Sequence, residues 1–240
     1  MSPAVPSAFD RHAGRYDTHA TVQREAAAWL AEWLPQIIDG PALELGAGTG
    51  LFTRHLATRA TQLVATDTAP RMVHHGRAAV PGVSWLVLDA GQPPDTHPFR
   101  WIFSSSLAQW LPDPARAFRA WHRVAAPEAR LIAGWFIRGT LADFFHTCPE
   151  AAPFEWKSTD QWLPMLTGSG WNPVRHEART FTRHYANSTA MLRAMHNVGA
   201  VVPHRLGSGQ LRTTLRRYDA LHRAKVTDDF VFLRLEAVRA

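Results

Sequence analysis

Gly46-Ala47-Gly48-Thr49-Gly50 constrains the fold of this chain more than any other stretch. It follows the apolar run Ala42 to Leu45 and precedes a helical pattern from Leu51 to Ala57. That order predicts strand, tight turn and helix, because glycine adopts positive φ without strain and lets a ligand approach the backbone closely. The rhythm then repeats. Leu63 to Asp67 predicts a strand, Ala69 to Ala79 a helix, and Val83 to Leu88 a buried strand ending at Asp89. Trp101 to Phe103 is another short strand, a helix runs from about Ala115 to Val124, and Leu131 to Ile137 is strongly apolar. Alternating strands and helices predict an α/β fold, a doubly wound and mostly parallel sheet covered on both faces.

The ends are read differently. Residues 1–8 are Pro, Ala and Ser without periodicity and predict a loose tail. From Thr21 the positions Val22, Ala26, Trp29, Leu30 and Trp33 recur at helical spacing until Pro35. After Gly170 two strand candidates, Val174 to Tyr185 and Phe230 to Val238, flank a helical insert. In it Leu211, Leu215 and Tyr218 form an apolar stripe while Arg212, Arg216 and Arg223 point elsewhere.

Composition narrows the function. With 240 residues, 46% of them hydrophobic, the chain can build a core, which excludes general disorder. The single cysteine, Cys148, excludes disulfide scaffolds and thiolate zinc sites. No uncharged apolar run approaches the ~18 residues that span a bilayer, and Met1 to Phe9 lacks a secretory signal, so a cytoplasmic protein is expected. Of 13 histidines only His74 and His75 are adjacent, and no metal site is expected. Ser104-Ser105-Ser106 lacks the nucleophile elbow of a serine hydrolase. The net charge of +6 is local, because residues 187–225 hold seven basic residues and one acid.

The glycine turn fits a pyrophosphate binder imperfectly. The third glycine of a dinucleotide fingerprint falls where this chain has Leu51. Asp67 and Asp89 end the second and third strands, where an open α/β sheet exposes its ligand crevice. The first carboxylate suits ribose hydroxyls and the second an adenine amine, and neither welcomes phosphate. Asp67 also suits the N-cap of the next helix, and Asp89 a turn. Together with Glu44, which favours a cation, these residues describe a site for a phosphate-free, positively charged adenosine ligand. S-adenosylmethionine has those properties.

Glu44 to Gly50, Asp67 to Met72 and Asp89-Ala90 resemble the cofactor motifs of class I S-adenosylmethionine-dependent methyltransferases. Phe9 to Asp17 with Gln23, Leu107 to Trp110, Gly139 to Leu141 and Met191 to Ala200 are similar to the BioC group, the malonyl-acyl-carrier-protein methyltransferases of biotin synthesis. The resemblance implies a seven-stranded sheet whose last two strands form an antiparallel edge. It implies cofactor contacts from Tyr16, Glu44, Gly46, Ala47, Gly48, Gly50, Asp67, Thr68, Met72, Asp89, Ala90 and Ser105. It further implies one methyltransferase domain: a tail and cover helix (1–34), a cofactor-binding core (36–186), a basic helical lid (187–225) and a final edge strand (226–240). Two positions depart from the pattern. Ser105 stands where asparagine is usual, and Pro127-Glu128-Ala129 replaces a Pro-Gly-Gly turn.

Methylating a malonyl carboxylate, with a pKa of about 4, needs no general base at pH 7, so no catalytic acid or base is expected. A cation should instead orient the anion. Arg138, after the fifth strand, is the candidate, Gln109 and Trp110 are expected to line the substrate side, and Tyr16 to face the sulfonium. The basic insert fits an acidic acyl carrier protein bearing a malonyl thioester, with malonyl-CoA as the other carrier. Three alternatives stand beside this expectation: a methyltransferase of another small carboxylic acid or natural product, an RNA methyltransferase, and a non-catalytic binder of the same cofactor. Against nucleic acid, the chain reads Ser105-Ser106-Leu107-Ala108 where base-amine methyltransferases carry an Asn-Pro-Pro-Tyr-type motif.

Overall fold

The computed structural model describes residues 4–94, 98–147, 149, 155–198, 208–222 and 226–240. Among them β1 (Ala42–Leu45), β2 (Leu63–Asp67), β3 (Ser84–Val87), β4 (Phe99–Ser105), β5 (Ala125–Phe136), β6 (Trp171–Tyr185) and β7 (Val226–Arg239) form one sheet in the order β3-β2-β1-β4-β5-β7-β6. The first five strands are parallel, and β7 runs antiparallel to both β5 and β6. The last two strands thus form the expected antiparallel edge, with β6 outermost and β7 running against both of its neighbours.

All four residues of β1 are buried between Leu63–Thr66 on one side and Trp101–Phe103 on the other. Strand order reverses here, which opens a crevice at the carboxyl ends of β1 and β4. Helices α2 (Thr21–Ala31), α3 (Thr53–Ala57), α4 (Pro70–Ala79), α5 (Pro114–Val124) and α7 (Thr159–Thr167) pack around the sheet. Helix α5 starts where a carboxylate can meet free backbone amides: Asp113 accepts from Arg116 N at 2.9 Å and Pro114 needs no amide partner. Its Phe118 and Trp121 are fully buried, and Trp121 Nε1 donates to Ala90 O at 2.7 Å. Helix α2 is held to β7 by Arg234, which is 6% exposed, stacks on Trp29 and Trp33, and pairs with Glu32 and Glu177.

Two expectations change. The predicted loose tail is not loose where it is described, because α1 (Ala4–His19) begins there, packed on α4 and on α8 (Ser188–Asn197). Its sequence hides this because two of its anchors are carboxylates aimed at backbone and loop, not apolar residues. β3 is not buried: it is the sheet edge, with Trp85 inside and Leu86 and Val87 exposed. Glu128 takes the left-handed conformation at φ +60° where a glycine would be at ease.

Helix α6 (Ala142–Thr147) and the insert helices α8 and α9 (Ser208–His222) enclose a second small core of Phe144, Met191, Leu215, Tyr218 and Val226. The expected stripe holds, since Leu215 and Tyr218 are buried while Arg212, Arg216 and Arg217 are exposed. Arg223, Gly199, Ala200 and Cys148 lie outside the described residues.

Beside this core, Asp228 is 2% exposed and neither carboxylate oxygen has a hydrogen-bond partner. Burial, with Asp143 and Asp229 adding, pushes its carboxyl up to about 7. The folded state therefore holds the proton more tightly than the unfolded chain, and stability falls as pH rises from about 4 to 7. Asp228→Asn is expected to stabilise the protein by about 2–4 kcal/mol at pH 8 and by little at pH 4. Thermal unfolding at the two pH values measures this, and an equal gain at both would mean that ionisation is not the source. No helix among the described residues is long and apolar enough to cross a membrane.

Candidate active site

The chain leaves β1 through Gly46, at φ +72° and so close to Leu107 that a Cβ would lie 2.8 Å from its side chain. Ala47 N donates to Thr66 O at 2.8 Å, which ties the turn to β2. Gly48, at φ +58°, has nothing within 4 Å of the place a Cβ would occupy, and its N–H donates to Asp67 Oδ2 at 2.9 Å. Backbone here is open toward a cavity of about 230 Å³. Gly50 is a correction: it does not line that cavity. Its missing side chain faces Val80 and Trp85, so this glycine serves the packing of the turn on α4 and β3.

Asp67 holds two backbone amides, Gly48 N and Ala69 N, each at 2.9 Å, so it fixes the turn and the entry to α4 at once. Burial raises its carboxyl above the usual range against those hydrogen bonds. Asp89 closes a turn by accepting from Gly91 N at 2.9 Å. Glu44 is 1% exposed and its Oε2 has no partner. Burial pushes its carboxyl up to about 8, opposed by the neighbouring Thr53 hydroxyl and with Asp67 adding. Thr68, Met72, Ala90 and Ser105 line the same cavity as these acids.

Helix α1 roofs this end. Asp10 accepts from Arg71 N at 2.8 Å, in the first turn of α4, and Asp17 accepts from Thr49 Oγ1 and pairs with Arg54 at 3.3 Å. The helix thereby brings Phe9, Tyr16 and His19 to the cavity. Burial pushes the Tyr16 hydroxyl well up, reinforced by Asp67 and Asp17, so the phenol stays neutral. Phe9 meets Tyr16 and Trp110 edge to face at 6.2 and 5.5 Å.

Gln109 and Trp110, on the 3-10 turn after β4, line the cavity as expected. Gln109 Nε2 donates to Ser106 O at 2.9 Å, and its Oε1 is buried without a partner. Arg138 is a second correction. It does not line the cavity, because its guanidinium donates to Gln161 Oε1 at 3.0 Å and pairs with exposed Glu155 at 3.7 Å. That glutamine caps α7 together with Ser158, so Arg138 anchors a loop.

The arginine that does line the cavity is Arg183 on β6, which the sequence reading missed. It shares its wall with Tyr185, Phe230 and Phe136. Among the described residues it is the one lysine or arginine on the lining, with His19 the one other basic side chain. Among the described residues no group of three or more His, Cys, Asp or Glu is placed to hold a metal ion.

A methyltransferase-domain family model matches residues 43–133. A malonyl-[acyl-carrier protein] O-methyltransferase of Halorhodospira halophila is 32% identical over 213 residues, covering 82% of this chain and 70% of that protein. The chain belongs to the BioC family of class I methyltransferases. A biotin biosynthesis bifunctional protein BioHC of Cellvibrio japonicus is 33% identical over 142 residues, 58% of this chain, and the chain spans only 28% of that protein's length. In architecture, a putative methyltransferase of Bacillus halodurans superposes with a TM-score of 0.66 at 16% identity, covering 89% of this chain and 98% of the other.

The cofactor of this BioC-family chain is S-adenosylmethionine, and the residues present suit it. The glycine-turn end presents open backbone at Gly48, carboxylates at Asp67 and Asp89, and the partnerless Oε2 of Glu44. Its acids would repel a phosphate and favour a cation.

Proposed function

We propose that the chain methylates the free carboxylate of a malonyl thioester, on acyl carrier protein or coenzyme A, in biotin synthesis. One observation carries this: a single cavity has acids at its glycine-turn end and, on the β6 wall, one arginine able to receive an anion. S-adenosylmethionine, when bound, supplies a methyl group on a positively charged sulfur. Gly48, Asp67 and Asp89 are assigned to hold its adenosine portion, and Glu44 its ammonium. Tyr16 and Phe9, on the roof, exclude water from the transfer path. The bound donor would supply the methyl group and take back the carbon–sulfur electron pair, while the residues named here would hold donor and acceptor facing each other. The acceptor is already ionised at pH 7, so the chain supplies orientation and partial desolvation. The exposed Arg193, Arg212, Arg216 and Arg217 of the insert would meet an acidic carrier protein.

The decisive experiment supplies purified protein with S-adenosylmethionine carrying an isotope-labelled methyl and, separately, malonyl-acyl-carrier protein, malonyl-CoA, acetyl-CoA and succinyl-CoA. Labelled ester on the malonyl thioesters and none on acetyl-CoA is the expected result. Donor binding with no malonyl ester, or faster reaction with another carboxylate, overturns the substrate assignment.

Glu44 adds a pH signature. At pH 7 a carboxyl that titrates near 8 is mostly protonated, and an ammonium beside it drives the proton off. Donor affinity is therefore expected to rise by up to about tenfold per pH unit from pH 6 and to level off above 8. Calorimetry at pH 7 in two buffers of different ionisation heat should count nearly one proton released, and a count near zero removes Glu44 from the ammonium site.

A further inference from the structure

Arg183 has the chemistry of a docking cation held in reserve. It stands on β6, where side chains alternate across the strand, so Phe181, Arg183 and Tyr185 share the inward face while Thr182 and His184 are exposed. Phe181 is buried against Trp29, and Arg183 and Tyr185 reach the cavity lining. The Arg183 side chain is about three-quarters covered, at 23% exposed. Nη1 donates to Thr182 O at 2.8 Å. Nη2 lies 2.6 Å from Glu25 Oε1 in an ion pair, yet it is buried and makes no hydrogen bond of good geometry. Its partner Glu25 projects from α2 with 54% of its side chain exposed and can be hydrated by water instead.

We infer that Arg183 receives the substrate's carboxylate by ion-pair exchange, Glu25 releasing the guanidinium to solvent-side water as the acceptor's anion takes its place. This rests on the carboxylate-methylation function above and names the residue that selects the anion. Besides His19, the other ionisable groups of the lining are the carboxyls of Glu44, Asp67 and Asp89 and the phenols of Tyr16 and Tyr185, which can at most donate a hydrogen bond and bring no positive charge or paired fork. Guanidinium keeps its charge at every working pH and presents a planar fork that matches a carboxylate and fixes its plane, which aims one oxygen along the transfer path. As the structure stands, Glu25 keeps a largely covered charge from standing unpaired. The exchange conserves the number of ion pairs in the site and frees one carboxylate into water, so the cost of desolvating the incoming anion is offset where it arises.

The test uses the full chain and three variants, Arg183→Gln, Arg183→Lys and Glu25→Gln. Rates are measured with malonyl-CoA, and inhibition with malonamoyl-CoA, the neutral terminal amide of nearly the same shape. Arg183→Gln is expected to lower kcat/KM for malonyl-CoA by about 100-fold, while S-adenosylmethionine affinity by calorimetry and the malonamoyl-CoA inhibition constant change less than about threefold. Arg183→Lys should recover part of the loss, because charge returns without the fork. Glu25→Gln should lower the KM by about threefold, since the competing carboxylate is gone. Wild-type kcat/KM in Arg183→Gln overturns the inference, as does an equal loss toward malonyl and malonamoyl thioesters, which would mark a role in folding alone. If the wild-type protein makes no malonyl ester, the function proposed above falls first. If it does and Arg183→Gln matches it, only the role of Arg183 falls.

Discussion

Asp67→Ala is expected to weaken S-adenosylmethionine binding by about 100-fold or more. The carboxylate is the shared acceptor for Gly48 N and Ala69 N, so its loss leaves two backbone amides unpaired and lets the glycine turn drift from the start of α4. An unsatisfied buried donor costs roughly 1–3 kcal/mol, and two of them, with loss of the ribose acceptor proposed for this carboxylate, reach the ~3 kcal/mol that 100-fold represents. Asp67→Asn keeps one carbonyl acceptor and should lose less. Calorimetric titration of both variants decides the matter, and donor affinity within threefold of wild type in Asp67→Ala would show that the turn holds its shape and its ligand without this residue.

Gly134→Ala should be the most damaging single methyl in the sheet. Gly134 sits in β5 between Ser105 of β4 and Arg234 of β7. A Cβ there would stand 2.4 Å from the Phe232 ring and 2.8 Å from Leu233 O, so relief requires both a ring and a backbone to move. Overpacking of this kind costs about 3 kcal/mol, which lowers Tm by about 6–12 °C in a chain of this size. Gly134 O also accepts from Ser106 N at 2.8 Å, beside the cavity, so activity should fall with stability. Phe232→Leu in the Gly134→Ala background is expected to restore part of the Tm, and no recovery at all would place the obstruction at the backbone.

The glycine turn, the two strand-end acids and the succession of strands and helices were legible because each is written in adjacent residues. A turn after a strand needs glycine locally, and an acid at a strand end declares itself by position. What failed depended on contacts between distant segments. Arg138 follows a strand at the right end of the sheet, and its sequence position says nothing of Gln161 and Glu155, which draw it away. Arg183 lies in a strand whose residues from Arg175 to Thr180 are all exposed, a pattern that reads as a solvated edge. Only the return of β7, paired from Tyr185↔Val226 onward, and the cavity beneath turn one face of its last residues inward. Residues 4–8 hide their helix for a similar reason, since Asp10 and Asp17 find their partners on α4 and beside the glycine turn. Gly50 marks the opposite limit: the motif is real, but three dimensions assign its third glycine to packing on Trp85.

The lining residues divide along the chain as well as in space. Leu111 is the last from the glycine-turn side, Phe136 opens the facing wall, and α5 lies between them. Recombination between two relatives inside that helix would yield hybrids that inherit nucleoside recognition from one parent and most acceptor preference from the other. Glu25, Gln109 and Trp110, on the early side, would be the exceptions such hybrids must match to the later half. A lineage can therefore acquire new methyl acceptors by replacing its later half, with few changes in the earlier one.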